Sequence, residues 1–472
     1  MSLISETSIK NFRENPNKIF FYDEYDNTLN GEGCLRKIYT ILNFISENKI
    51  DNIGINSRNN IMWPLWYIAA DFACDNIYIF NSKISEKANQ KIKCDYDIKY
   101  IVSNLISEDI DNNIEYNDLN FDLKSKGLTN VLFTSGTTST PKGVILSSSS
   151  FIHVAKTLSS ELTQNVNDTE LLSMPFEHSF GLVRLRCVLL SGCSALITDG
   201  LKNFPKIYQF STCNNLTGLS FVPAALEIVK AMLRNKAKDF AKLIRYVEIG
   251  SSALSLETSE WLKENFANTK IIHHYGMTEA SRSFLKPYDI ELNKNFDKWI
   301  GYPIQGLDYK ISYKSKNDEQ GELYVKGKNL FTSYLDVSLN KTKIEAGWLK
   351  TGDICCEIKN KIFLVGRTDN QINIGSEKIQ AEYIESIIEN IYLVEECICF
   401  GTENSIMGAQ LCCIVKLNKF EEENTFMIEL NSVLKKHSPI YKPSILKVVM
   451  DIPLTSVGKK VRDINKLKSY LE

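Results

Sequence analysis

The sequence predicts an α/β protein with a large N-terminal domain of layered sheets and a small α+β domain at its C-terminus. Strand-like and helical segments alternate through the first 130 residues, a pattern typical of sheets covered by helices. A chain of 472 residues is also too long for one small core. Finally, a polar junction near residue 369 precedes a separate set of short elements.

The elements of the first 130 residues follow from the spacing of their apolar side chains. Residues 35–46 have the apolar spacing of a helix, and residues 63–73 read as a buried helix. Residues 52–55 and 76–80 read as short strands. This order of strand, helix and strand predicts a sheet with helices packed on its faces.

Strands are next predicted at 131–133 and 144–146, joined by the hydroxyl-rich loop TSGTTSTPKG of residues 134–143. Hydroxyls and backbone N–H groups donate to phosphate oxygens, glycines let the backbone approach closely, and Lys142 adds a positive charge. The loop lacks the spacing of a Walker motif, and its composition alone equally allows a plain hairpin turn. The candidate phosphate-binding residues are Thr134, Ser135, Gly136, Thr137, Thr138 and Lys142.

Two later stretches present polar groups at the ends of elements. His178 lies in a turn between Pro175 and Gly181, a setting in which a histidine is more often a packed core residue than a functional one. A strand predicted over 243–249 ends in Gly250-Ser251, where a flat ring can lie near the backbone. Ligands of α/β proteins tend to bind at such carboxyl ends of strands.

The stretch Tyr275-Gly276-Met277-Thr278-Glu279 follows another predicted strand. Thr278 can hydrogen-bond a phosphate, and Glu279 can hold Mg²⁺, which prefers one or two carboxylates together with phosphate oxygens. An isolated Thr-Glu pair more often marks only the start of a helix. The stretch is therefore a candidate metal and nucleotide site.

The C-terminal part begins at the junction GRTDNQINIGSEKI of residues 366–379, where charged and amide side chains interrupt the apolar periodicity and Gly375 marks a turn. The predicted domains are residues 1–367 and 368–472. The smaller domain is expected to contain helices at 383–390 and 425–436 and strands at 394–400, 410–417 and 444–449. Its tail, PLTSVGKKVR, is basic, which usually indicates a solvated surface.

Composition excludes several classes of protein. A net charge of −2 argues against a nucleic-acid-binding protein, which normally has a basic excess. The first 15 residues have no apolar core, so no signal peptide is expected. The longest apolar stretch, residues 61–74, is too short and too interrupted to span a membrane. Twelve cysteines without a Cys-x-x-Cys pair predict reduced thiols in a cytoplasmic enzyme.

Taken in order, these stretches resemble the adenylate-forming (AMP-binding) superfamily. It includes acyl- and aryl-CoA synthetases, firefly-type luciferases and the adenylation domains of peptide synthetases. The resemblance runs from about residue 15 to the C-terminus and rests on TSGTTxxPKG, PxxHxxG, YGxTE, the GRxDxxI junction and PxTxxGKxxR. One position departs from the family pattern, because Ser139 stands where these enzymes usually carry glycine.

The resemblance implies an activity. A small carboxylic acid would react with Mg·ATP to give an acyl-adenylate, and the acyl group would pass to the thiol of CoA or of a carrier-bound 4′-phosphopantetheine. His178 would border the acid pocket, as in acyl- and aryl-activating members. Ser179 replaces the aspartate usual in amino-acid-activating members. The alternatives are a ligase that loads a separate carrier protein and, supported only by Ser139, a binding protein that has lost turnover.

The resemblance also implies roles for individual residues. Lys459 would be a mobile catalytic cation, Thr278 would contact phosphate, and Glu279 would bind Mg²⁺. The small C-terminal domain would rotate about Asp369, and Gly375 would border the thiol channel. The residues implied to contact the nucleotide base or ribose are Gly250, Ser251, Tyr275, Gly276, Asp353 and Arg367. Arg184 and Arg186 are expected to be solvated or salt-bridged rather than to meet a second acidic group of the substrate.

Overall fold

The computed structural model describes residues 3–80, 86–103, 129–134, 142–251, 254–288, 298–313, 315, 318–374, 377–404, 408–419, 422–437, 439–455 and 458–471. Some predicted site residues lie outside this description: Ser135, Gly136, Thr137, Thr138 and Gly375, together with the side chain of Thr134. The chain divides into two compact units. Unit 1 comprises Met1–Asp308 and Lys326–Ile344, and unit 2 comprises Tyr309–Val325 and Glu345–Glu472.

Unit 1 alternates strands and helices. Its helices are α1 (Leu3–Glu14), α2 (Gly31–Glu47), α3 (Trp63–Ala73), α4 (Glu86–Asp95), α5 (Ser148–Glu161), α6 (Ser179–Ser191), α7 (Phe204–Cys213), α8 (Pro223–Leu233), α9 (Ala237–Ala241), α10 (Leu256–Asn265) and α11 (Val337–Lys343). Its strands are β1 (Ile19–Asp23), β2 (Thr28–Asn30), β3 (Asn52–Ile55), β4 (Asn76–Ile79), β5 (Tyr100–Val102), β6 (Thr129–Thr134), β7 (Lys142–Leu146), β8 (Thr169–Leu172), β9 (Ser194–Ile197), β10 (Gly218–Phe221), β11 (Tyr246–Gly250), β12 (Lys270–Met277), β13 (Ala280–Pro287), β14 (Tyr302–Pro303) and β17 (Ser333–Tyr334).

These strands form two sheets. The larger has nine strands in the order β14-β13-β12-β11-β10-β8-β9-β1-β2, and the smaller has six in the order β17-β7-β6-β4-β3-β5. In the nine-stranded sheet, β10, β11 and β12 are parallel neighbours, so their carboxyl ends lie along one edge. In the six-stranded sheet, β7 returns antiparallel to β6, as the sequence predicted.

Burial explains why the ends of several helices and strands could be predicted from the sequence. The helix α3 is apolar on nearly every side and almost wholly buried, so its ends coincide with the ends of the apolar run. The strand β3 also has the predicted bounds, and β4 ends one residue earlier than predicted. The first half of the chain is therefore the α/β arrangement expected from its alternating pattern.

Unit 2 contains three sheets. Its strands and helices are β15 (Leu307–Ser312), β16 (Gly321–Gly327), β18 (Ile344–Glu345), β19 (Trp348–Ile358), β20 (Lys361–Arg367), β21 (Gln371–Ile374), β22 (Glu377–Gln380), α12 (Ala381–Glu389), β23 (Val394–Asn404), β24 (Gly408–Leu417), α13 (Glu423–Leu434), β25 (Ile445–Val448) and α14 (Ile464–Lys468). β15, β16, β19, β18 and β20 form one sheet, β21 pairs with β22, and β23-β24-β25 form the third.

The small α+β elements predicted after the junction are all present, within three residues at their N-terminal ends. The β23-β24-β25 sheet packs with α12 and α13 around one apolar cluster. The sequence places a domain boundary after residue 367 because residues 368–472 are expected to rotate as one domain. That boundary stays a prediction. Among the helices of the described residues, none is long and apolar enough to cross a bilayer.

Candidate functional site

The strand that leaves the predicted phosphate loop is held from both sides. Lys142 begins β7 and lies opposite Thr134 of β6, and the other edge of β7 pairs with β17. A side chain at Gly143 would meet Leu335 at 2.3 Å, so the residue that follows β17 packs directly on this position. Residues 135–141 lie outside the description, but both strands that flank them are fixed.

His178 is placed by a turn that the sequence explains well. It is the residue immediately before α6, and its backbone N–H donates to Pro175 O at 3.1 Å. A Cβ at Gly181 would lie 2.3 Å from that same carbonyl oxygen, which explains why this spacing requires glycine. Asn59 fixes the other side of the turn by accepting from Phe176 N (2.9 Å) and donating to Met174 O (2.9 Å).

The end of β11 lies against the end of β12. A Cβ at Gly250 would be 1.9 Å from Cε1 of His274, so the His274 ring occupies the space a side chain would need. The same ring meets Phe180 of α6 edge-on, with centroids 4.8 Å apart. Ser251, the next residue after β11, has a φ of +87°, a strained conformation of the kind often found at binding sites. Gly250 and the start of α6 thus converge on His274.

The stretch Tyr275–Glu279 forms a hairpin rather than the start of a helix. Met277 pairs with Ala280, so Thr278 and Glu279 are the two turn residues between β12 and β13. A Cβ at Gly276 would lie 2.5 Å from Arg282 N, so only glycine fits there. The hairpin presents a half-buried hydroxyl and a half-buried carboxylate at the edge of the sheet.

Glu279 has one engaged oxygen. The Tyr334 hydroxyl donates to its Oε1 at 2.8 Å, whereas Oε2 has no hydrogen-bond or ion-pair partner among the described residues. One available carboxylate oxygen fits Mg²⁺, which keeps several waters and takes its remaining ligands from the nucleotide. No group of three or more His, Cys, Asp or Glu that could hold a metal occurs in the described ranges. The predicted metal role of Glu279 thus suits a cation that arrives with ATP.

A buried ion-pair network lies under this site. Arg184 of α6 pairs with both oxygens of Glu170, at 2.6 Å for Nε, and lies 3.4 Å from Glu248. Arg282 donates to Glu248 at 3.0 Å, and His274 Nδ1 lies 2.6 Å from the same carboxylate oxygen. The five side chains are at most 7% exposed.

Both arginines of α6 are buried, but their partners differ. Arg184 is salt-bridged, as one of the two expectations held. Arg186 is not solvated: it is 1% exposed and donates to Tyr67 Oη (2.9 Å) and Asn130 Oδ1 (2.8 Å). It also lies over the Phe151 ring, 3.9 Å from its centroid. Expecting solvent around a residue within α6 was wrong because this helix is buried on all sides.

The network sets the charges beneath the site. Burial alone would raise the pKa of Glu248, but Arg282, His274 and Arg184 outweigh it and hold that pKa well below its usual range. The pKa of His274 is lowered, first by burial and then by Arg282, against the attraction of Glu248. His274 is therefore neutral at pH 7, and the ionised partners of Glu248 are arginines.

Arg282 is a site residue that the sequence did not reveal. Its guanidinium donates to the carbonyl oxygens of Ser179 (3.2 Å) and Phe180 (3.1 Å), at the first turn of α6 beside His178. It thereby ties the β12–β13 hairpin to the first turn of α6. That turn directly follows His178, the residue predicted to border the acid pocket. The only local signal is its position three residues after Glu279, which no pattern distinguishes from an ordinary strand arginine.

Unit 2 brings together three other predicted residues. Arg367 of β20 lies opposite Asp353 of β19 and donates to it at 2.7 Å. It also donates through Nε to Asp369 at 2.8 Å. Asp353 is buried, whereas Arg367 and Asp369 are 38% and 46% exposed. Asp353 lies within the long strand β19, directly after Gly352, which has a φ of +78°.

Lys459 is presented by a tight turn. Its backbone N–H donates to Thr455 Oγ1 (3.0 Å) and its carbonyl accepts from Thr455 N (2.6 Å), while Gly458 has a φ of +73°. The next residue, Lys460, points elsewhere and pairs with Glu389 at 2.6 Å and Glu385 at 3.3 Å. The turn thus separates two adjacent lysines, one ion-paired and one exposed.

Arg462 anchors the C-terminal tail, and nearby charges of unit 2 act on Lys459. Arg462 donates to both oxygens of the buried Glu385, at 2.5 and 2.8 Å, and so anchors the tail. The pKa of Lys459 is lowered, mainly because surrounding protein desolvates its ammonium although the residue keeps an exposed surface. Asp353 opposes that shift and Arg367 adds to it, which places Lys459 within electrostatic reach of the predicted ribose-binding pair.

Comparison with known proteins identifies the family and the fold of this chain. Residues 67–335 match the model of a family described as AMP-binding enzyme. The chain is 28% identical over 377 residues to a 2-succinylbenzoate–CoA ligase of Staphylococcus aureus (strain bovine RF122 / ET3-1), covering 79% of this chain and 72% of that protein.

Two solved structures share the fold. One is o-succinylbenzoate CoA synthetase (MenE) from Bacillus subtilis in complex with the acyl-adenylate intermediate OSB-AMP. Its TM-score is 0.82 at 20% identity, with 98% of this chain and 97% of that chain covered. The other is the Bacillus subtilis enzyme in complex with ATP and magnesium ion. Its TM-score is 0.79 at 20% identity, with coverage of 98% and 99%.

Proposed function

This chain belongs to the AMP-binding enzyme family, and from that premise we propose that His178, Gly250, Tyr275 and Glu279 form its acid and nucleotide site. The chain is an AMP-forming acid–thiol ligase of the acyl-CoA synthetase type. ATP and CoA are its co-substrates, and Mg²⁺ is its metal. The single observation that carries the site is the convergence of α6, β11 and the β12–β13 hairpin around His274.

The reaction has two steps. An oxygen of the substrate carboxylate attacks the α-phosphorus of ATP, and the bond to the β-phosphate oxygen breaks, which gives an acyl-adenylate and pyrophosphate. The sulfur of the thiol then attacks the acyl carbon, the thiol proton is lost, and AMP leaves. The protein supplies positioning and charge neutralisation, because the substrate carboxylate is itself the nucleophile.

The residues of unit 1 divide this work. Glu279 Oε2 is the oxygen available to Mg²⁺, which supplies charge neutralisation on the phosphates when bound. Thr278 offers a hydroxyl to phosphate, and Lys142 begins the strand that leaves the phosphate loop. Tyr275 and Gly276 lie beside Gly250 at the strand ends, where the base would rest against exposed backbone.

The residues of unit 2 act on the same reaction. We assign Asp353 and Arg367 to the ribose, as the family resemblance implies. The two side chains lie on adjacent strands and are hydrogen-bonded to each other. Lys459 is the cation for the carboxylate and the α-phosphate, and Asp369 is the pivot about which residues 368–472 turn between the two steps. Withdrawal of Lys459 then gives the thiol access to the acyl-adenylate.

We propose an aryl-type acid as the substrate class, and 2-succinylbenzoate is the first acid to test. The Staphylococcus aureus relative supports this choice, because it is a ligase of that acid. Arg184 and Arg186 do not serve a second substrate carboxylate, since both are buried and held by protein partners. A cytoplasmic location is part of the proposal, and the twelve cysteines, which include no Cys-x-x-Cys pair and suit reduced thiols, support it.

Pyrophosphate release with Mg·ATP tests the function. The assay runs a panel of aryl, short, medium and long fatty, and amino acids, each with CoA, with a pantetheinylated carrier protein, and with neither. Turnover with an aryl acid that requires CoA is the expected result. Turnover only with the carrier protein would reassign the acceptor. No release with any acid, together with no ATP binding, would leave the fold without the proposed activity.

A further inference from the structure

Residues 330–335 connect the two sheets of unit 1 at the candidate site. On one side, Thr332 N donates to Ile145 O (2.8 Å) and Leu335 N donates to Gly143 O (2.9 Å), so the segment is hydrogen-bonded to β7. On the other side, Phe331 N donates to the Glu279 carbonyl (2.8 Å), and Leu330 forms a bridge with Ala280. One short segment therefore joins the strand that leaves the phosphate loop to the turn that carries Glu279.

Tyr334 adds a side-chain link at the middle of this segment. Its backbone pairs with Val144 of β7, while its hydroxyl donates to Glu279 Oε1 at 2.8 Å. The ring is 5% exposed and packs edge-on against Phe331, with centroids 4.7 Å apart. Asn340 fixes the backbone further by accepting from Tyr334 N at 2.8 Å. A buried ring that is held by its backbone and packed against Phe331 directs its hydroxyl to Glu279.

Resting on the function proposed above, we propose that Tyr334 is a positioning residue for the metal carboxylate. Its hydroxyl holds Oε1 of Glu279 and leaves Oε2 as the oxygen that ligates Mg²⁺. Its strand pairs with β7 and so holds that carboxylate at a set separation from β7. The cation then meets a carboxylate already oriented when it arrives with ATP.

The chemistry supports this division of the two oxygens. A tyrosine side chain carries an O–H donor at neutral pH, and the Tyr334 hydroxyl directs this donor at Oε1 of Glu279. A hydrogen bond to a carboxylate is among the stronger ones in proteins. Without it, the Glu279 side chain would have to be ordered at the moment of metal binding, at a cost in affinity.

The test replaces Tyr334 by phenylalanine, which keeps the ring and removes the hydroxyl. Binding of Mn²⁺ to the protein–ATP complex is measured by electron paramagnetic resonance, without any acid substrate. The apparent Mn²⁺ affinity should fall about tenfold in Tyr334→Phe, the range expected for a hydrogen bond to a charged group. Rates of pyrophosphate release should recover at saturating Mg²⁺, so the defect appears in the metal concentration required and not in kcat.

Tyr22→Phe is the matched control, because Tyr22 lies on β1 near the far edge of the nine-stranded sheet and packs against Phe210. It should bind Mn²⁺ like the wild type. Tyr334→Phe placed in a Glu279→Gln background should add little, since the carboxylate it orients is gone.

Other outcomes are decisive as well. Unchanged metal affinity in Tyr334→Phe, with or without a lower melting temperature, would make the contact purely structural and overturn the inference. Failure of the proposed function itself would look different, because the wild type would then show no ATP-dependent binding of Mn²⁺.

Discussion

The ion pairs beneath the candidate site of unit 1 differ in kind from those around the candidate residues of unit 2. In unit 1, Arg184 is fully buried and forms ion pairs with Glu170 and Glu248, which are fully buried as well. In unit 2, Arg367 is 38% exposed and its partner Asp369 is 46% exposed. The first set has no access to solvent as an alternative partner, whereas the second does.

This difference in exposure separates ion pairs that are fixed from ion pairs whose side chains can change partners. Removing one member of a buried pair leaves an uncompensated charge and costs about 3–5 kcal/mol, whereas exposed pairs contribute about 0–1 kcal/mol. A buried network therefore suits the floor of a site that must not move. Partly exposed pairs suit a region in which residues exchange partners during a reaction cycle.

The largest expected effect is on the stability of unit 1. Glu170→Ala removes the main partner of Arg184, and Tyr246 and Gln164 lose an acceptor as well. The variant should lose about 3–5 kcal/mol of unfolding free energy, seen as a clear drop in melting temperature. Asp199→Ala, which breaks a surface pair with Arg58, is the control and should change little. Equal shifts in the two variants would erase the contrast between buried and exposed pairs.

The next effect is on catalysis by unit 2. Lys459→Ala should slow acid-dependent pyrophosphate release by about 10²–10³-fold, the typical loss when a group that stabilises transition-state charge is removed. Its melting temperature should stay near that of the wild type, because Lys459 has an exposed surface. Near-normal release by this variant would remove Lys459 from the catalytic assignment.

The adjacent lysine offers a matched variant with the opposite expectation. Lys460→Ala removes a cation that pairs with Glu385 and Glu389. It should lower the melting temperature more than Lys459→Ala does and slow adenylation less. A reversed pattern would mean that the two lysines have been assigned the wrong roles.

The proposed pivot can be tested on one half-reaction alone. Asp369→Pro restricts the backbone at the predicted hinge and should spare adenylation while blocking thioester formation. Asp369→Ala loses the same contact with Arg367 but keeps backbone freedom, so it should retain both steps. If Asp369→Pro completes both steps, the pivot lies elsewhere in the chain.

The smallest expected effect is a pH dependence in the buried network. Because the pKa of His274 is lowered in the folded chain, the unfolded chain gains a proton first as the pH falls below about 6.5. Above that pH both states are neutral and His274 contributes no slope. Below it, stability should fall by at most about 1.4 kcal/mol per pH unit, until the folded histidine also protonates.

His274→Gln should flatten this part of the stability curve. The comparison variant His437→Gln lies in unit 2, outside the network, and should keep the wild-type slope. The buried carboxylates Glu248 and Glu385 have lowered pKa values, so their contribution to stability is lost only as the pH falls below about 4.5. A slope that persists in His274→Gln between pH 6.5 and 5 would show that another group titrates there.

Much of the fold could be predicted because periodicity and burial coincide in this chain. The bounds of β3 and α3 follow directly from apolar runs. Thr278 and Glu279 show where such reasoning stops, since the same two residues suit a helix start and a hairpin turn. The hairpin forms because β13 pairs with β12 across the sheet and Gly276 admits the backbone of Arg282, which are long-range facts.

By itself, the sequence determined the fold class, the family and the residue types that carry the chemistry, because these depend on local spacing and on short motifs in a set order. Only the tertiary structure decided which charges support those motifs. Arg184 lies on the buried helix α6, Arg282 on the return strand β13, and Tyr334 on the short strand β17. No local sequence pattern marks any of the three. Their roles arise when separate segments bury the same polar groups together, and each buried charge then requires a partner.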